Sequence, residues 1–255
     1  MIIRWWIFLV LCFVSATAED KAFDSIFSAY GVDGTLVIES LDGKERFVHN
    51  EPRATKPFLP ASTFKIPHTL IALKEGVVTK ESLLEWDGVE RSIPSWNQHQ
   101  TLASAFKNSC VWCYQSFARK IGLNVYDTYL KALHYGNEKT GSNVERFWLD
   151  GELRISAYEQ IAFLKRLYRE ALPFEHAHMM VLKEIMVDET SSQFTLYAKT
   201  GFATSIESCG WYVGYSESSK GVYFFAMNMK IDSNEALTLR KQITLEALQS
   251  KGILK

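Results

Sequence analysis

Charge of neither sign dominates this chain: 28 Lys and Arg stand against 29 Asp and Glu, for a net charge of −1. That balance leaves no electrostatic footprint for nucleic acid. Proline is scarce, with 6 residues in 255, and there is no linker, internal repeat or low-complexity tract. Beyond the N-terminus no apolar run is long enough to cross a bilayer. Cysteine is also sparse. Cys12 falls in the N-terminal segment, so Cys110, Cys113 and Cys209 remain, and an odd count excludes a fully paired disulfide framework. Cys110-x-x-Cys113 lacks the strand-turn context of a thioredoxin-like redox pair. His176 and His178 have no zinc-site spacing to other ligands. All three cysteines read as small buried apolar side chains.

What is present argues for a packed protein. Hydrophobic residues make up 47% and aromatics 13%, which supports a sizeable core and excludes disorder. Residues 1–18 read as an export signal: Arg4 supplies charge, residues 5–14 are apolar, and Ala16-Thr17-Ala18 is a small-x-small cleavage site. Cleavage after Ala18 implies a periplasmic or secreted protein with no stable membrane insertion. A retained anchor is the competing reading. A lipoprotein acylated at Cys12 fits less well, because Leu11 is larger than the small residue expected before it.

Residues 19–255 suffice for one large domain or two joined lobes. Residues 22–29 read as a helix, and 34–41 and 46–50 as strands around Asp42-Gly43, a hairpin signal. Helical periodicity dominates residues 63–187, most clearly at 111–121, 125–133 and 157–170. Strands follow at 193–199, 210–216 and 222–230, then an amphipathic helix at 234–249. Strands at both ends with helices between predict a mixed α/β fold. One sheet flanked by helices is assembled from the chain ends, and a mainly helical lobe is inserted between them. The lobe boundary is the place for a small-molecule pocket.

Two motifs meet that boundary. Ser62-Thr63-Phe64-Lys65 places a hydroxyl three residues before an amine, on one helix face; a weak nucleophile needs such a base. Ser62 follows Pro60 and opens a periodic run through Ile66, Leu70 and Leu73 toward Gly76. Pro67 lacks the N–H a continuing helix would use, so the first turn is expected to be irregular. Downstream, Lys199-Thr200-Gly201 ends a strand whose alternation puts Phe194, Leu196 and Ala198 on one face and Thr195, Tyr197 and Lys199 on the other. Ser104 and Lys107 repeat the first spacing in a short stretch without a helix start. Lys139-Thr140-Gly141 repeats the second beside a Gly136-Asn137 turn. Both repeats read as coincidences.

With these residues in place the chain resembles the class D serine β-lactamases (oxacillinases), within the wider fold of penicillin-binding proteins. Six elements carry the resemblance in order: residues 60–67 around Ser62 and Lys65, Ser109-Cys110-Val111, Tyr135-Gly136-Asn137, Phe147-Trp148-Leu149, Lys199-Thr200-Gly201, and Arg240 on the last helix. The Ser-Asp-Asn triplet of class A enzymes is missing. The resemblance implies a transpeptidase-like fold with an antiparallel sheet.

It also implies roles for these residues. Ser62 would attack the β-lactam carbonyl, with its own N–H and that of Phe202 forming the oxyanion hole. Lys65 would carry CO2 as N6-carboxylysine and act as general base in acylation and deacylation, so CO2 or bicarbonate is needed but no organic cofactor or metal. Burial lowers a lysine pKa toward the neutral amine that carboxylation requires. Val111, Leu149 and Trp148 would wall this pocket, and the Trp148 N–H would donate to the carbamate. Ser109 would pass a proton to the leaving nitrogen. Lys199, Thr200 and Arg240 would hold the drug carboxylate beside Gly201. Tyr135 and Asn137 join the site without a proton-transfer role and equally fit plain turn chemistry. Trp96 lines the pocket.

Hydrolysis of β-lactam antibiotics, conferring resistance, is therefore the leading reading. A penicillin-binding D,D-peptidase or transpeptidase would use the same serine and lysine but stall as an acyl-enzyme. A β-lactam-sensing receptor domain would need a membrane transmitter. Substrate spectrum is left to the loop at residues 202–209, and monomer or homodimer both fit.

Overall fold

The computed structural model describes residues 19–204 and 208–255. The export segment and residues 205–207 of the loop after Phe202 lie outside the described residues. The elements run α1 (Lys21–Tyr30), β1 (Gly34–Ser40), β2 (Arg46–His49), α2 (Glu51–Thr55), a 3-10 turn (Ala61–Phe64) and α3 (Lys65–Lys74). Next come β3 (Leu83–Leu84), β4 (Gln100–Thr101), α4 (Leu102–Lys107), α5 (Val111–Ile121), α6 (Leu123–Ala132), α7 (Ala157–Tyr168) and α8 (His176–Met186). The chain closes with β5 (Val187–Thr190), β6 (Phe194–Ala203), β7 (Cys209–Ser218), β8 (Gly221–Lys230) and α9 (Ala236–Ser250).

One antiparallel sheet is built from both chain ends, in the order β2-β1-β8-β7-β6-β5. β1 pairs with β8 along its whole length, Gly34 opposite Met229 and Ser40 opposite Tyr223. These central strands are covered on both faces, so they are buried at nearly every position. α1 and α9 cover one face, where Leu36, Leu196, Ala198, Phe225 and Met227 share a core with Phe23, Ile26 and Ile243. The helical lobe covers the other, and its core takes in Val37, Val213, Phe224 and Ala226 of the sheet. The alternation in β6 thus holds: Leu196 and Ala198 face one core, Tyr197 the other. Among the described residues no helix is long and apolar enough to cross a membrane.

Several boundaries are set by identifiable caps. Asp20 accepts from the Ala22 and Phe23 amides to start α1, and Ser156 with Glu159 forms a reciprocal box at α7. Ser104, set aside above for want of a helix start, in fact sits in α4 behind a Thr101–Ser104 box. Its hydroxyl also donates to Gln100 Oε1 at 2.7 Å, so it is spent on local structure. Lys139 is exposed, and Thr140 donates to Asp127.

The cysteine reading needs correction. Cys110 and Cys113 are joined by a disulfide; among the described residues the remaining cysteine, Cys209, is buried and forms no disulfide. Cys110 caps α5 and Cys113 lies in its first turn, so helical spacing brings the two sulfurs together.

Candidate active site

Ser62 lies in the 3-10 turn and Lys65 at the first position of α3, so the irregular start expected from Pro67 is present. The Lys65 Nζ is 3.4 Å from the Ser62 hydroxyl, and Lys65 has no exposed surface. Its amine sits over the Tyr114 ring, 4.6 Å from the centroid. Burial, and secondly the Lys199 charge, push its pKa well below the usual lysine value. The cost of burying a charge therefore favours a neutral amine.

The turn is held from three sides. The Ala61 amide donates to the Trp148 carbonyl at 2.9 Å. Thr63 donates to the Pro60 carbonyl and accepts from Gln160. The Trp211 indole donates to the Leu59 carbonyl at 2.8 Å. Ala61 takes a positive φ of 47°, an uncommon conformation for a side chain with a Cβ.

β6 runs beside this turn at Gly201. A Cβ there would lie 2.9 Å from the Pro60 carbonyl oxygen and 3.2 Å from the Thr63 nitrogen, so the close approach requires glycine. β6 also extends past the predicted stop at Lys199 to Ala203, so Thr200 and the partly buried Phe202 flank Gly201 where it meets the turn that carries Ser62.

Lys199 Nζ donates to Ser109 Oγ at 2.5 Å and to the Thr200 carbonyl at 3.1 Å. Burial and the nearby Arg240 charge lower its pKa to about 7. Arg240, from α9, donates to the Gly201 carbonyl at 2.6 Å and to Leu237; burial lowers its pKa to about 10. Two cations thus bracket the end of β6. A cavity of about 200 Å³ opens beside Lys199 and Thr200, with Phe106, Met186 and Asp188 also in its wall.

Trp148 is fully buried, its ring against Phe64 and His68. Among the described residues its indole N–H has no hydrogen-bond partner, and neither has Nδ1 of buried His68. Sequence reasoning missed His68 and Tyr114. The available signal was helical spacing, since each lies three residues after a predicted site residue, Lys65 or Val111.

Other predicted residues take supporting positions. Val111 opens α5, partly buried. Leu149 packs at the edge of the lobe core. Trp96 donates from its indole to the Asn108 carbonyl at 2.8 Å, bracing the Ser109 turn. Tyr135 is buried against Phe64 and Phe163. The Asn137 side chain is taken up by the Glu152 carbonyl and the Arg154 amide. Tyr135 thus packs behind the Ser62 turn through Phe64, and Asn137 braces the loop at Glu152 and Arg154.

Comparisons with known proteins agree with this geometry. Residues 34–249 match the penicillin binding protein transpeptidase domain. The chain is 42% identical to β-lactamase OXA-48 of Klebsiella pneumoniae, over 92% of this chain and 90% of that one. It is 36% identical to β-lactamase OXA-10 of Pseudomonas aeruginosa, over 97% of each. The crystal structure of FUS-1 (OXA-85), a class D β-lactamase from Fusobacterium nucleatum subsp. polymorphum, superposes with a TM-score of 0.90. Its identity is 35%, and the match covers 93% of this chain and all of that one.

Proposed function

The chain belongs to the penicillin-binding transpeptidase family and, within it, to the class D β-lactamases, and from that premise we propose that it hydrolyses β-lactam antibiotics through an acyl-enzyme on Ser62. The observation that carries this reading is Lys65, fully buried, with its amine 3.4 Å from the Ser62 hydroxyl.

A lysine kept neutral by burial can combine with carbon dioxide. The resulting carbamate supplies a general base for the Ser62 hydroxyl and, later, for water. The surroundings fit an added anion: the Trp148 N–H is buried and has no partner among the described residues, and its ring lies against Phe64 and His68, which flank Lys65 along the chain. A buried donor left unpaired costs on the order of 1–3 kcal/mol, and a carbamate oxygen would relieve it.

Acylation joins Ser62 Oγ to the lactam carbonyl carbon and breaks the ring C–N bond. The Ser62 and Phe202 amides receive the developing oxyanion, each worth about 3 kcal/mol in such sites. Ser109 passes its proton to the departing nitrogen and is reprotonated through Lys199, which is within hydrogen-bond reach, and the proton that the Lys65 base took from Ser62 is released before water attacks. Lys199, Thr200 and Arg240 hold the drug carboxylate. Water then attacks the ester, its proton is taken up at the Lys65 position, and Ser62 leaves reprotonated. Val111 and Leu149 limit water around Lys65, while Tyr135 and Asn137 fix the wall behind it. Export through residues 1–18 would put the enzyme in the periplasm or outside the cell, where its substrates are.

Steady-state turnover of nitrocefin, a chromogenic cephalosporin, tests the reading. Sustained hydrolysis, lost in Ser62→Ala, supports it. One stoichiometric burst without turnover would instead indicate a penicillin-binding peptidase or a receptor.

A further inference from the structure

We infer that the Cys110–Cys113 disulfide is a positioning clamp for Ser109, holding its hydroxyl where it meets Lys199 and so setting the rate of acylation. The inference rests on the role proposed for Ser109 above.

Ser109 has φ of +53°, a left-handed conformation that costs a non-glycine residue on the order of 1–3 kcal/mol unless its surroundings impose it. Left free, the residue would relax toward negative φ and carry its hydroxyl away from Lys199. The chain on both sides is therefore fastened. Before Ser109, the Asn108 carbonyl accepts from the Trp96 indole at 2.8 Å, and the Asn108 amide group donates to buried Gln100. The Trp96 carbonyl in turn accepts from the Trp112 indole at 3.0 Å. After Ser109, the Cys110 amide donates to the Ala105 carbonyl at 2.9 Å, and the Cys110 side chain is bonded to Cys113 in the first turn of α5.

This bond adds what the hydrogen bonds cannot. It ties the residue next to Ser109 covalently to a helix whose Tyr114 lies under the Lys65 amine. Ser109 and the floor of the Lys65 pocket then belong to one rigid unit. Both cysteines have no exposed surface, so the bond is shielded from thiols and acts as a fixed staple. Displacement of a reacting group by about 1 Å can cost on the order of a hundredfold in rate, which is the scale of effect expected if the staple is removed.

Single-turnover kinetics with nitrocefin test this on the full chain. In C110A/C113A the acylation rate constant should fall by about tenfold to a hundredfold. The deacylation rate constant, which does not use Ser109, should stay at the wild-type value. General loosening would lower both constants, and that result overturns the proposal, as does wild-type acylation in the double variant. Ser109→Ala separates the two levels. If it acylates at the wild-type rate, the role of Ser109 itself is wrong; if it is slow while C110A/C113A is fast, only the clamp fails. Should the double variant not fold, wild-type enzyme is unfolded in urea, reduced with a phosphine, which is oxidised as the two sulfurs become thiols, and refolded without oxidant. Acylation lost in step with two new thiols supports the clamp, and full acylation with both thiols free overturns it.

Discussion

Ser109 and Lys199, ninety positions apart, meet at 2.5 Å across the boundary between helical lobe and sheet. That contact joins the proton route proposed through Ser109 on one side of the site to the strand proposed to bind the carboxylate on the other. On that proposal, the ionisation of Lys199 becomes visible in catalysis.

The pH dependence follows from the lowered Lys199 pKa of about 7. The protonated amine is the form that attracts a carboxylate, and in the free enzyme it is lost as pH rises through about 7. Values of kcat/KM for carboxylated β-lactams should therefore decline above that pH, and Lys199→Met should abolish this limb. A limb that persists in Lys199→Met would assign it to another group.

Stability should move the opposite way. The unfolded chain keeps the Lys199 proton up to the ordinary lysine value of 10.5, whereas the folded protein releases it near 7. Between about pH 7 and 9 the unfolded state binds more protons, so stability rises with pH. Lys65, also lowered by burial, contributes with the same sign. Urea denaturation across this window should show the rise in wild type and a shallower one in Lys199→Met.

Gly201→Ala should harm both stability and rate. Its Cβ would meet the Pro60 carbonyl at 2.9 Å and Thr63 Cγ2 at 3.1 Å, and overpacking of this kind costs about 1–3 kcal/mol. Pushing β6 from the Ser62 turn also displaces Phe202, so kcat/KM should drop by about tenfold or more. Thermal melts and nitrocefin kinetics check the two halves; an unchanged rate would mean that strand and turn need not touch.

Trp148→Phe keeps most of the ring packing on Phe64 and His68 but deletes the unpartnered N–H. A hydrogen bond to a charged group is worth about 1.5–3 kcal/mol. The bicarbonate concentration for half-maximal activity should accordingly rise by about one to two orders of magnitude. Titration of activity with bicarbonate measures it, and an unshifted midpoint removes Trp148 from the role.

Much of this architecture was legible because its signals are local. α5 begins at Val111 and ends at Ile121 as its periodicity predicts, and the hairpin at Asp42-Gly43 joins β1 to β2. α8 escaped notice because its N-cap, Glu175, makes no side-chain capping bond. β6 was cut short because Gly201 reads as a stop, whereas it is a strand residue made small by the neighbouring turn. The disulfide was missed because an odd cysteine count says nothing about which two lie one helical turn apart. In the site, the motifs located Ser62, Lys65 and Lys199. The floor under Lys65 is built by Tyr114, and that contact depends on how α3 packs on α5, which no single stretch of sequence encodes.

The most direct measurement is carbon-13 NMR of the protein equilibrated with labelled bicarbonate near neutral pH. A carbamate resonance that is absent in Lys65→Ala, and that fades with activity on acidification, is the predicted result. A fully active enzyme with no labelled carbon at Lys65, indifferent to bicarbonate, would contradict the account.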